Sequence, residues 1–117
     1  MAQEITTNQQ AGDIIQPATS GDIRYRAFGR PYGDSDSQVI TLLASCSYPV
    51  GGYHIFFTRE YGPDEVYVLN EKKPGIFYNI VSYYAADYCS QVGIANPVKY
   101  VTIKDAHGAH EVPVEPI

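Results

Sequence analysis

Apolar and polar residues alternate with a period of two over much of the chain. The clearest run is 38–48, where Ile40, Leu42, Ala44, Cys46 and Tyr48 alternate with Val39, Thr41, Leu43, Ser45 and Ser47. Successive side chains of an extended strand point to opposite faces, so this run predicts a long strand with its even-numbered face on the core. The same period recurs in 22–28, where Ile23, Tyr25 and Ala27 alternate with Arg24, Arg26 and Phe28. Residues 53–59 place Tyr53, Ile55 and Phe57 on one face. Shorter strands are predicted at 65–69, 98–104 and 111–114, with Val101 and Ile103 of the second turned inward. Residues 76–89 fit period two through Tyr78, Ile80, Tyr84 and Tyr88, and their β-branched and aromatic content predicts a long strand, although 84–87 would tolerate a helical turn.

Turn chemistry punctuates these runs at roughly ten-residue spacing. It falls at Gly29–Ser37, at Pro49 with Gly51 and Gly52, at Tyr61–Asp64, at Pro74 with Gly75, at 93–97 and at His107 with Gly108. Pro49, Gly51 and Gly52 between two strong strands predict a hairpin joining 38–48 to 53–59. Glu71, Lys72 and Lys73 read as a polar loop, one that carries the chain across to another sheet. Pro113 lacks a donor for the ladder and marks 111–114 as an edge strand. With no long amphipathic helix and no internal repeat, the expectation is an all-β fold. Its form is an immunoglobulin-like or related antiparallel two-sheet β-sandwich of about seven to eight strands, with a small β-barrel as the alternative. Residues 1–21 are polar apart from Ile14 and Ile15, which predicts a flexible N-terminal lead with one edge strand near Ile14; 22–117 is the single β-sandwich domain.

Composition changes this picture in one respect. Eleven Tyr and four Phe, with no Trp, in 117 residues are more rings than one small core needs, so some lie at the surface. The net charge of −5 argues against a general affinity for nucleic acid or anionic membrane, both of which depend on clustered Lys and Arg. No apolar run approaches the ~20 residues of a spanning helix, so no transmembrane segment is expected.

Cys46 and Cys89 fall in predicted strands. They are read either as a disulfide bridging two sheets or as two buried, reduced thiols. Asp87, Tyr88 and Cys89, taken with Cys46 in an earlier strand, resemble the two-cysteine arrangement of immunoglobulin domains, which implies the sandwich shape. Tyr88 adjoins Cys89 instead of preceding it by two, and no Trp is present to pack on a bridge, so the resemblance extends to shape alone. A bridge would imply a secreted or periplasmic protein, free thiols a cytoplasmic one.

No glycine-flanked nucleophile, phosphate-cradling loop or helical ligand pair is present, so an enzyme is not expected and no cofactor is implied. Asp105, His107 and His110 gather metal-ligand types in six residues and are the candidate metal site. The expected function is a non-catalytic module that engages a protein or glycan partner through tyrosine-rich strands and loops, with Arg30, Tyr32, Tyr53, Tyr61 and Tyr83 as candidate contacts. The alternatives are a structural subunit forming a homo-oligomer through its aromatic face or the edge near Glu111 to Val114, and a metal-binding protein.

Overall fold

The computed structural model describes residues 14–31, 37–60, 62, 64–76, 78–93 and 98–116. These form eight strands and no helix: β1 (Ile15–Pro17), β2 (Arg24–Pro31), β3 (Ser37–Tyr48), β4 (His54–Arg59), β5 (Val66–Lys72), β6 (Ser82–Gly93), β7 (Tyr100–Asp105) and β8 (Gly108–Pro116). The period-two runs account for them. The even-numbered residues of β3, from Ile40 to Tyr48, are buried as its pattern predicts, and Val101 and Ile103 of β7 point inward.

Hydrogen bonding is continuous in the order β1-β5-β7-β8-β2-β3-β6, with β4 on the other side of β5. The sheet is mixed, because β5 with β7 and β2 with β8 run parallel while the other pairs are antiparallel. The join lies in β8. Its residues 108–113 pair with β7, and Val114–Pro116 then pair with Ala27–Gly29 of β2. The sheet curls about this strand into a half-barrel, and its inner face closes over one core built from Ile40, Leu42, Phe57, Tyr67, Leu69 and Ile103, among others. Each fully buried aliphatic side chain of that set stabilises the fold by about 1.5–3 kcal/mol.

The structure departs from the sequence reading in three places. The expected hairpin between 38–48 and 53–59 does not form; β3 lies between β2 and β6, and β4 pairs with β5. Gly51 bridges Tyr78 instead. Residues 111–114 are not an edge, because β8 is flanked by β7 and β2. Pro113 fits there since it stands opposite Tyr100 at the point where the strand changes partners, and the Val114 N–H donates to the Lys99 carbonyl at 2.8 Å. The edge strand expected near Ile14 is β1, which pairs with the end of β5, and Ala18 beyond it is fully buried. The long strand expected from Ile76 begins only at Ser82, and Ile76 and 78–81 lie in the connection before it.

Candidate functional site

Two buried carboxylates tie the curled sheet together at one end. Glu71 continues the inward series Tyr67, Leu69 along β5 and is fully buried. Its Oε1 accepts hydrogen bonds from the Tyr48 hydroxyl (2.6 Å), the Thr19 N–H (2.7 Å) and the Thr19 hydroxyl (2.8 Å), and its Oε2 accepts from Gln16 Nε2 (2.7 Å). Burial pushes the Glu71 pKa up, but these four donors, Tyr48 first, outweigh it and hold the carboxyl below its ordinary value. Asp105 does the same work at the end of β7. It accepts from the Tyr25 hydroxyl (2.7 Å) and the His107 N–H (2.8 Å). Here too burial is opposed by the hydrogen bonds, with a net fall in pKa. These groups fasten residues 16–20 over the end of the half-barrel.

Beside them lies an aromatic scaffold. Tyr48, anchored by Glu71, stacks on Tyr53 with ring centroids 3.9 Å apart and planes 6° apart, and meets Tyr84 edge-on at 5.8 Å. The Tyr84 hydroxyl accepts from the N–H groups of Gly52 (2.9 Å) and Tyr53 (3.2 Å), which fixes the 51–53 backbone. Gly51 and Tyr78 then exchange two backbone hydrogen bonds, N to O at 2.7 and 3.3 Å. Glycine suits both positions. Gly52 has φ +102°, and a Cβ there would lie 2.8 Å from Pro74; a Cβ on Gly51 would lie 2.9 Å from the Ser82 hydroxyl.

What this scaffold holds is a connection whose described large apolar side chains face outward, together with Tyr83 at the start of β6. Ile76, Tyr78, Ile80, Val81 and Tyr83 are between 56% and 81% exposed. Scattered apolar side chains are normal at a protein surface, but five within eight residues on a pinned backbone form a patch. Such a surface can bury apolar area against a complementary surface at little cost in ordering.

The sequence candidates divide accordingly. Tyr83 is the most exposed large apolar residue among those described and belongs to the patch. Tyr53 belongs to the scaffold, its ring covered by Tyr48. Arg30 is exposed but pairs with Val39 at the far end of β3 from Ser47, which pairs with Tyr83. Tyr32 and Tyr61 lie outside the described residues. Sequence reasoning missed Ile76, Ile80 and Val81 by assigning them to a strand. The signal was Pro74 with Gly75 followed by apolar residues on both parities, which leaves neither face polar.

Of the metal candidates Asp105, His107 and His110, the structure brings two together. His110 Nε2 lies 3.0 Å from Asp105 Oδ2, but the His107 ring turns away, its Nε2 2.9 Å from the Ser20 carbonyl and 3.2 Å from that of Thr19. Among the described residues no three His, Cys, Asp or Glu side chains converge on a possible metal position. The two cysteines do not meet. Both thiols are free, with Cys46 buried and Cys89 exposed. They sit on paired strands of one sheet, Cys46 opposite Tyr84 and Cys89 opposite Thr41, on opposite faces. Among the described residues no helix is long and apolar enough to cross a membrane. Comparison with known proteins finds no matching family model, no matching curated protein and no matching solved structure.

Proposed function

We propose that the chain is a non-catalytic docking module that binds a partner through the apolar connection between β5 and β6. The observation that carries this reading is the outward placement of Ile76, Tyr78, Ile80, Val81 and Tyr83 on a backbone pinned at Gly51. Rigid presentation lowers the ordering cost of association, and side chains that serve no packing role in the free molecule remain available for contact. Aliphatic groups speak for an apolar partner surface over a glycan, because a glycan site needs polar groups matched to hydroxyls around its aromatic platform. The immunoglobulin-like two-sheet sandwich is retained as the finer reading of the fold, supported by the packing of β2 and β3 against β4, β5 and β7 over one core.

A photo-reactive amino acid placed at Ile80 in the native source tests the reading, with the same group at exposed Glu111 as control. The expected result is a discrete adduct from position 80 that is absent from position 111 and lost when Ile76 and Val81 are changed to Ser. No adduct, or the same adducts from both positions, overturns it.

A further inference from the structure

β6 is the last strand of the sheet, and among the described residues no strand pairs with its outer edge. Such an edge presents a row of backbone N–H and C=O groups that another extended backbone matches. The other terminal strands are guarded. β1 has three residues, and β4 has six and ends in Arg59. β6 runs for twelve residues, Ser82–Gly93, without Pro, Lys or Arg, and Asp87 is its one charge. Its register with β3 is unbroken along that length, so no bulge turns the edge away.

The inner face is also unfinished at this edge. Leu42, Ala44 and Cys46 of β3 are at most 5% exposed, whereas Tyr88, Ala86 and Tyr84, which pair with them on β6, are only partly buried. On β4 the inward residues Ile55 and Phe57 are already buried. The Tyr84 and Tyr88 rings meet Tyr48 and Tyr67 on the core side. A strand added to β6 would cover the sides they leave open.

We propose that the added strand is β6 of a second copy, running antiparallel about a two-fold axis at Ala86. In this register β6 is complementary to itself. On the inner face Tyr84 stands opposite the copy's Tyr88, the contact occurs twice by symmetry, and Ala86 meets its own counterpart between them. On the outer face Asp87 stands opposite the copy's Ala85, so the two carboxylates are not directly opposed. An axis at Asp87 would oppose them, and one at Ala85 would lose the tyrosine pairs. This pairing does not depend on the docking reading of the apolar connection.

Sedimentation equilibrium of the full chain, from micromolar to near-millimolar concentration, tests this. The wild type is expected to reach a dimer and stop there, because two-fold pairing closes on itself. Ala85 is exposed, so its variants are expected to leave Tm unchanged. Ala85→Asp sets a carboxylate opposite the copy's Asp87 at two symmetric places and is expected to raise the dimer Kd about tenfold; Ala85→Lys sets a cation there and is expected to lower it. A wild type that stays monomeric overturns the proposal, and is the result to be found if β6 takes a strand of a different protein. A dimer whose Kd ignores both variants, or moves the same way in both, overturns it as well. So does a dimer indifferent to position 85 but lost in the Ile76→Ser, Ile80→Ser, Val81→Ser variant, which would place the contact on the connection.

Discussion

The Tyr48 hydroxyl donates to the buried Glu71 carboxylate at 2.6 Å, joining β3 to β5 across the core. The same oxygen of Glu71 holds Thr19, and the Tyr48 ring stacks on Tyr53 and meets Tyr84 edge-on. One ionised group therefore supports both the N-terminal segment and the scaffold under the docking loop.

Replacing Glu71 by Ala is expected to destabilise the fold by about 3–5 kcal/mol, because it leaves the Tyr48 hydroxyl and the Thr19 N–H buried without an acceptor. Glu71→Gln keeps the volume and one acceptor and is expected to cost less. The loss carries a pH signature. Glu71 and Asp105 have folded pKa values below their unfolded ones, and hydrogen bonds from Ser20 and Ser47 bring Asp22 down to about 2. Their contribution is complete above the ordinary carboxylate range, near pH 4, and is lost as pH falls through the folded values. Acid denaturation followed by circular dichroism checks this, and a midpoint that does not shift in Glu71→Ala contradicts it.

Alkali acts from the other side. Burial, aided by the Glu65 carboxylate, pushes the Tyr67 hydroxyl up to about 12, and burial with a carboxylate partner raises Tyr25 and Tyr48 further. Groups with raised folded pKa stabilise below the unfolded value near 10, and that stability is lost as pH rises through the folded one. Ultraviolet titration is expected to show these three phenols ionising only as the protein unfolds, together and irreversibly of their individual order. A smooth titration of all eleven tyrosines near pH 10 with the fold intact would be inconsistent with the three buried hydroxyl bonds.

Gly52→Ala is expected to cost about 1–3 kcal/mol, since Ala is strained at φ +102° and its methyl meets Pro74. The consequence for the loop is testable separately. Amide exchange of Gly51, whose N–H donates to Tyr78, is expected to accelerate in this variant, and an unchanged rate would show that the glycine pair does not hold the loop.

Thiol labelling is expected to modify Cys89 in the native protein and Cys46 only after unfolding, since Cys89 is exposed and Cys46 is buried with its thiol pKa raised. Two thiols blocked to reagent before reduction would mean a bridge that the register of β3 and β6 does not permit.

Strand existence was legible in the sequence because the inward residues of β2, β3, β4 and β7 follow the pleat. Partner choice was not. Pro49, Gly51 and Gly52 carry the chemistry of a hairpin turn, but in the fold the glycines give close approach to Pro74 and Tyr78, residues more than twenty positions away. Pro113 carries the mark of an edge but occupies a change of partners. The buried acids were legible in hindsight: Glu71 continues the inward parity of Tyr67 and Leu69, and Asp105 that of Val101 and Ile103. Their neighbours Lys72 and His107 made each resemble a solvated turn. Of the candidate contacts, Tyr83 is on the exposed patch, whereas Tyr53 is not, because composition counts rings without saying which ones stack on each other.

On the docking reading, Ile76, Ile80 and Val81 serve no purpose in the packing of the free protein. Thermal unfolding of the Ile76→Ser, Ile80→Ser, Val81→Ser triple variant measures this without knowledge of any partner. The expected change is within about 0.5 kcal/mol, as for other surface substitutions, or a Tm within about 3 °C of the wild type. A Tm lower by about 10 °C or more would show that these residues are packed in the native state, and would contradict their role as a docking surface.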